Sequence, residues 1–512
     1  MDRREWLIKM GMTGAGLYLA KYLEAAKESE YALSGHAPSG YVHFGDKYPG
    51  NLHPGDINSG YMSPGFMPFE EFVKADFGPD FKWGVAAAAY QTEGAWNLDG
   101  KGESNWDHFS RIHGKIVNGD NADVAADFYH RYAEDIDLIR SMNFDKFRFS
   151  VSWPRILPAG TGAVNSKGVD FYHRVIDKCL SVGLEPWITV YHWDTPQALE
   201  EQGGWANRKI IDWFSEYVNI LTREYGSKVK NWMTMNEQLA FTGNGYMMGV
   251  FPPGKKNPGA FMRSVHYAVL ANAEGGRIIR KNVPGANIGF TLANTWVEPI
   301  DQKEKNIEAA ARMDAIMNRL FIEPGLGLGY PEDTVHLLKR LRSLYEEGDE
   351  EKMVFDFDFI GIQYYYRTIA KKSLMPGMRA KEITASERGV PANVMDGEIY
   401  PEGLYQILKK FSKYEGIRNL IVTENGTCVP DKLDNGQVHD RERIEYFKNH
   451  LAAVLKARRE GVNVNGYFVW SPTDNFEWDS GFTPRFGLVY IDYATLERYI
   501  KDSGLWFKEF LE

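Results

Sequence analysis

Between residues 81 and 510, eight strand-length apolar runs alternate with eight helix-length amphipathic stretches, and few architectures accept that repetition. The runs lie at 81–88, 146–152, 185–191, 231–235, 287–293, 357–364, 419–423 and 464–470. Several are almost continuously apolar, as parallel strands covered on both faces must be. The clearest helical stretch is 124–142, where Ala126, Tyr129, Ile136 and Ile139 recur at three-to-four spacing. The others run 168–182, 208–224, 261–281, 304–318, 401–413, 440–459 and 495–510. Eight such units predict one closed (β/α)8 barrel over residues 69–512, with long loops on its C-terminal face and no second domain. A doubly wound open sheet would carry a glycine-rich phosphate loop after its first strand. Gly94, following Tyr90-Gln91-Thr92-Glu93, belongs to no Gly-x-Gly-x-x-Gly. The longest insert, Arg367–Ile399, holds Pro376 and Pro391 and predicts a loop on the same face.

A chain of 512 residues suits one large α/β barrel, and 44% hydrophobic content supplies its core. The 14 Trp and 28 Tyr are shared between packing and the lining of a cleft. A net charge of −10 with no basic stripe excludes a nucleic-acid backbone as partner. Cys179 and Cys428 form no disulfide framework or zinc cluster, and Cys428 reads as a buried thiol near the site wall. Residues 1–33 differ from the rest: Arg3-Arg4 and the following residues resemble a twin-arginine export motif ahead of an apolar stretch, Met10–Ala20. That stretch is too short and too glycine-interrupted to span a membrane. It predicts a periplasmic or secreted protein, or a cytoplasmic one if the segment is an ordinary helix. No Ala-x-Ala site follows, Ala25-Ala26 being the nearest candidate, and residues 34–68 read as an extended arm or linker.

In a barrel of this kind, chemistry collects at the C-terminal ends of the strands. Those ends are polar and aromatic here: Gln91, Arg148, His192-Trp193-Asp194, Asn236-Glu237, Tyr364-Tyr365, Glu424-Asn425, and Trp470 with Glu477-Trp478. Two glutamates each close an apolar run, in Thr-Met-Asn-Glu-Gln at 234–238 and Val-Thr-Glu-Asn-Gly at 422–426. A facing pair of carboxyl groups is the minimal equipment for cleaving a glycosidic bond. His192, flanked by Tyr191 and Trp193 at a barrel mouth, reads as a partner for sugar hydroxyls.

The motifs themselves resemble the family-1 glycoside hydrolases, the β-glucosidase and β-galactosidase group, over roughly residues 69–510. They are Ala89-Tyr90-Gln91-Thr92-Glu93-Gly94-Ala95, Phe147-Arg148-Phe149-Ser150-Val151-Ser152-Trp153-Pro154-Arg155-Ile156, Tyr191-His192-Trp193-Asp194, Thr234-Met235-Asn236-Glu237, Val422-Thr423-Glu424-Asn425-Gly426, Asp474-Asn475-Phe476-Glu477-Trp478 and Arg485-Phe486-Gly487-Leu488-Val489-Tyr490. The resemblance implies that Glu424 is the nucleophile and Glu237 the general acid/base of a retaining β-glycosidase. Their carboxyl groups would then stand about 5–5.5 Å apart. Arg148 would favour the ionised form of Glu424, Tyr365 would donate to its second oxygen, and Glu237 would need a raised pKa. It also implies that Gln91 and Glu477 take the 3-, 4- and 6-hydroxyls, with the Trp478 indole nearby. His192 and Asn236 would address the 3- and 2-hydroxyls, and Trp470 would form the apolar platform under the ring. Trp193 completes the binding set and Asn425 supports it. Substrates would be small neutral β-glycosides or β-linked oligosaccharides, β-glucosides first, without a metal or organic cofactor. Nothing in the sequence sets an oligomeric state.

Three positions depart from the family pattern. Gln238 replaces the usual proline, Gln363 replaces the asparagine two residues before Tyr365, and Pro472-Thr473 replaces a leucine-like pair. These predict an altered leaving-group preference, with Gln363 placed toward the aglycone side. Glu477 would repel the phosphate of a 6-phosphorylated sugar, and Thr483-Pro484-Arg485 lacks the matching lysine. Thioglucosidases put glutamine where Glu237 stands, and a non-catalytic binding relative would have lost a carboxylate. Both glutamates are present.

Overall fold

The computed structural model describes residues 71–374 and 377–512, so the expected export segment and arm lie outside the described residues. Eight parallel strands form the frame: β1 (Lys82–Ala86), β2 (Lys146–Ser150), β3 (Glu185–Tyr191), β4 (Asn231–Asn236), β5 (Asn287–Pro299), β6 (Phe359–Lys372), β7 (Leu420–Asn425) and β8 (Val464–Trp470). Each pairs with its neighbours in chain order, and β8 returns to β1, which closes the ring. Helices alternate with them: α1 (Phe128–Ser141), α2 (Ser166–Ser181), α3 (Ile210–Tyr225), α4 (Pro258–Asn282), α5 (Glu304–Asp314), α6 (Pro401–Phe411), α7 (Arg441–Arg459) and α8 (Asp502–Phe510). The expected (β/α)8 barrel is the observed fold.

The patterning explains the layers. Every residue of β7 is buried, because helices cover the outside and side chains fill the inside. On α2, Val169, Tyr172, Ile176 and Cys179 form the buried stripe against the strands. Inside the ring, Trp187, Met233, Phe359, Ile421 and Phe468 make one plug. Glycines on adjacent strands make room for the large rings, Gly84 opposite Phe468 and Gly289 opposite Phe359. A Cβ built on Gly289 would stand 2.5 Å from the Phe359 ring. The barrel is therefore solid below, and a ligand can enter only at the strands' C-terminal ends.

Three elements differ from expectation. β5 and β6 run well past residues 293 and 364, because Trp296–Pro299 pairs with Arg367–Ala370 after a register shift. A short strand, Ala380–Glu382, then folds back antiparallel on β6. The insert expected as a loop thus begins as sheet, and a two-stranded wall rises about 20 Å above the rim at roughly 3.3 Å per residue. The stretch 495–510 is not one helix. Leu496 sits at φ 61, and Arg498–Ile500 pairs with Val489–Ile491 as an antiparallel ribbon, so α8 starts only at Asp502. The Arg498 guanidinium, on that ribbon, is anchored to Asp135 of α1. The helix expected over 304–318 ends as α-helix at Asp314 and continues as a π-turn through Arg319, where Asn318 donates to the Thr295 carbonyl. Among the described residues no helix is long and apolar enough to cross a membrane.

Candidate active site

The residues picked from the strand ends meet in one place. Gln91, His192, Trp193, Asn236, Glu237, Tyr365, Glu424, Trp470, Glu477 and Trp478 all line one cavity of ≈ 190 Å³ at the C-terminal face. Arg148 lies wholly buried beneath it. Strand geometry decides which way β7 presents its last two residues, since successive side chains point to opposite faces. Glu424 faces the cavity. Asn425 faces outward, donating to Tyr446 (2.9 Å) and to the Tyr364 carbonyl while accepting from the Tyr467 hydroxyl, so it anchors the strand end rather than a ligand. On β4 the alternation is broken on purpose. Glu237 takes φ 45 and its N–H bonds the Thr291 carbonyl at 2.9 Å, which lets two consecutive side chains, Asn236 and Glu237, enter the same cavity. Trp193 and Trp478 line it from similarly left-handed positions, at φ 80 and 50.

The two glutamates have opposite surroundings. Glu424 accepts from Arg148 on one oxygen and from the Tyr365 hydroxyl, at 2.7 Å, on the other. Arg148 is itself aimed by Thr189 (2.9 Å), the Thr423 carbonyl (3.2 Å) and Asn236. Among the described residues the Glu237 carboxyl has no hydrogen-bond donor. Burial pushes both carboxyls above the ordinary range; for Glu424, Arg148 and Tyr365 pull back against it. For Glu237 the nearby Glu424 charge adds to burial, against only a partial pull from Arg148, and it rises far higher. Arg148 pulls Glu424 toward its ionised form, the direction expected of it. The pair is present, but desolvation outweighs it, so what the site secures is an order of ionisation: Glu424 first, Glu237 later.

Around them, hydrogen-bonding capacity is left over for a ligand. Asn236 Nδ2 approaches His192 Nε2 at 3.1 Å, so that nitrogen accepts and Nδ1 carries the proton. Nδ1 is buried without a partner, and burial with the Arg148 charge holds the ring neutral, far below its usual pKa. Gln91 donates to Asn475 (3.0 Å), the Phe476 carbonyl (2.9 Å) and Glu477 (3.2 Å), leaving its own carbonyl unpaired. Burial, with the Glu424 charge, lifts Glu477 to about 8. Trp470 stacks on His192 with centroids 6.0 Å apart. Trp193 lines the cavity, but its indole N–H is spent on the Asn236 carbonyl (2.9 Å), leaving the ring, packed 4.4 Å from Trp478, as what it offers.

Several contributors escaped the sequence reading. No strand-end group was assigned to β5, yet Thr291 donates to Asn236 at 2.8 Å, and Asn294 and Thr295 line the cavity. Three polar residues in five positions at the end of an apolar run were the available signal. Asp479, beside Glu477, also lines it, with burial raising its carboxyl to about 7. Gln363 was placed toward the aglycone; instead it is wholly buried in the floor and donates to Asn236 at 2.7 Å. Thr473 accepts from Ser471 (2.9 Å) and Asn475 (3.3 Å), which orders the loop that holds Gln91. Gln238 is buried without a partner for its carbonyl, and nothing in the structure explains the substitution. Burial lifts both thiols, Cys179 and Cys428, to about 12, which favours the neutral thiol over the thiolate. Among the described residues no three His, Cys, Asp or Glu side chains gather as a metal site.

Comparison with known proteins gives one answer throughout. The pattern of glycosyl hydrolase family 1 matches residues 73–512. β-Glucosidase A of Thermotoga maritima is 43% identical over 433 residues, covering 84% of this chain and 96% of its own. β-Glucosidase A of Acetivibrio thermocellus is 39% identical over 452 residues, 86% of this chain and 99% of its own. A solved structure of the family 1 β-glucosidase from Thermotoga maritima superposes with a TM-score of 0.81 at 42% identity, over 84% of this chain and 97% of that one.

Proposed function

This chain belongs to glycosyl hydrolase family 1 and is a retaining β-glycosidase, and from that premise we propose Glu424 as its nucleophile, Glu237 as its general acid/base and a terminal β-D-glucosyl residue as its preferred substrate unit. The observation that carries the assignment is the asymmetry of two acids in one cavity: among the described residues Glu424 holds two donors and Glu237 none. The group that ionises first attacks the anomeric carbon. The group that keeps its proton gives it to the departing oxygen as the glycosidic bond breaks. Once Glu424 is esterified its charge is gone, so the main coulombic pressure on Glu237 disappears. Glu237, now ionised, takes a proton from water, whose oxygen displaces Glu424 and restores the β configuration. Arg148 and Tyr365 hold the leaving carboxylate. Asn236 and His192 are placed for the 2- and 3-hydroxyls, Gln91 and Glu477 for the far edge, with Trp470 beneath the ring.

Glucose is favoured because both relatives above carry β-glucosidase in their names and the unpaired carbonyl of Gln91 beside Glu477 offers acceptors to equatorial hydroxyls. A panel of aryl β-glycosides ranked by kcat/KM tests this. The glucoside should exceed the galactoside and mannoside, and a 6-phosphoglucoside should be refused because the described residues lining the cavity include no lysine or arginine to hold its dianion. A galactoside or phosphoglucoside at the head of the ranking would overturn the substrate assignment while leaving the two glutamates in place.

Export by a twin-arginine route belongs to the same reading, on the strength of Arg3-Arg4 and the short apolar stretch behind them. Arg3→Lys with Arg4→Lys should then hold the folded enzyme in the cytoplasm. Unchanged fractionation of the double variant would remove that part of the proposal.

A further inference from the structure

We infer that the side-chain carbonyl of Gln363 accepts a hydrogen bond from the substituent on C2 of the sugar, which makes this residue a determinant of what the site tolerates at that carbon. The inference rests on the roles given above to Glu424 and Asn236.

Gln363 lines the cavity and is wholly buried. Its Nε2 donates to Asn236 Oδ1 at 2.7 Å, and the same oxygen receives Thr291 Oγ1 at 2.8 Å and the Arg148 guanidinium. Three donors on one oxygen lock both amides. Turning Asn236 over would set its NH2 against them, and turning Gln363 over would set two carbonyl oxygens together. Gln363 Oε1 is therefore forced to be the free end, and it is buried with no partner among the described residues. A buried acceptor in a ligand cavity is satisfied by a donor that arrives with the ligand.

The chemistry of the anomeric centre says which donor. Gln363 is the register partner of Glu424 on the adjoining strand, so its amide lies beside the group that bonds C1. The atoms around C1 of a glycoside are the ring oxygen, the glycosidic oxygen and C2. Neither oxygen carries a hydrogen, so the 2-hydroxyl is the nearest donor. Asn236 uses one Nδ2 hydrogen on His192 and keeps the other for the same hydroxyl. That hydroxyl then accepts from Asn236 and donates to Gln363, one bond in each sense. A 2-amino group retains the donor, whereas hydrogen, fluorine or methoxy at C2 leaves Oε1 unpaired.

The test is a cycle of two variants and two substrates, an aryl β-glucoside and its 2-deoxy counterpart, read as kcat/KM. Gln363→Leu should cost about tenfold on the glucoside and less than about twofold on the 2-deoxy substrate. Thr291→Val loosens Asn236 but leaves the Gln363 carbonyl alone, so its extra loss on the glucoside over the 2-deoxy substrate should be clearly smaller than that of Gln363→Leu. Equal losses for Gln363→Leu would overturn the inference. So would a 2-hydroxyl-dependent loss in Thr291→Val as large as in Gln363→Leu, because the effect would then run through Asn236. If Gln363→Leu does not fold, Gln363→Asn, which keeps a polar group on a shorter arm, is read in the same cycle with the same criterion. A wild type inert toward the glucoside would instead refute the assignment of the site, a result distinct from any of these.

Discussion

Glu424→Ala should lose on the order of 10^5-fold in kcat/KM toward an aryl β-glucoside, the scale at which removing a covalent nucleophile acts in other enzymes. The reason is not only the lost attack on C1. Arg148 is wholly buried, and without Glu424 its charge keeps only neutral partners in Thr189, Thr423 and Asn236. Stripping one member from a buried pair costs about 3–5 kcal/mol, so the variant should also melt earlier than wild type. Glu424→Gln, whose amide oxygen still accepts from Arg148 or Tyr365, separates the two effects: it should be equally inactive and lose less stability. Azide gives the decisive readout. In Glu424→Ala the anion fits the vacated space below C1 while Glu237 still protonates the leaving group, and the product is an α-glycosyl azide. A β-azide, or more than a hundredth of wild-type activity without azide, would remove Glu424 from its role.

How much of this is legible in the amino-acid sequence alone differs from residue to residue. Glu424, Asn236 and His192 sit where an apolar run stops, and a barrel sends such residues to one face, so their convergence follows from period and count alone. Arg148 is legible for the same reason, an arginine in a strand otherwise buried. What could not be read is set by pairing between distant segments. Trp296–Pro299 becomes strand only because Arg367–Ala370 lies beside it, and neither segment announces the other. The same holds for the Trp193 indole, whose N–H is taken by a backbone carbonyl of the next strand. Nor does any local pattern announce the left-handed turn at Glu237, a conformation usually left to glycine, here over-determined by the Thr291 carbonyl. The balance of burial against Arg148 at Glu424 is a sum over the whole cavity, so charge complementarity gives the direction of the Arg148 contribution but not the net shift.

Glu237→Gln should separate the two half-reactions, because a proton is required in one and a base in the other. Against an alkyl β-glucoside or a β-linked disaccharide, whose leaving oxygen must be protonated, kcat/KM should fall by about 10^2–10^4-fold. A dinitrophenyl glucoside leaves unaided, so its glycosylation step should fall far less, and the glycosyl-enzyme should accumulate as a burst because no base activates water. Azide, which needs no base, attacks that ester from the open face and should give a β-glycosyl azide, the opposite anomer to the Glu424→Ala product. The pH profile follows from the same assignments. Glu424 works ionised, so wild-type kcat/KM should fall on the acid side as it protonates, at a pH above the ordinary glutamate range because burial raises it. Glu237 works protonated, so the alkaline limb should lie higher still, where burial and the Glu424 charge have moved its titration. Glutamine cannot titrate: in the variant the alkaline limb should vanish for the activated substrate while the acid limb stays. If the alkaline limb persisted there, the group that governs it would not be Glu237, and the division of labour between the two acids would have to be redrawn.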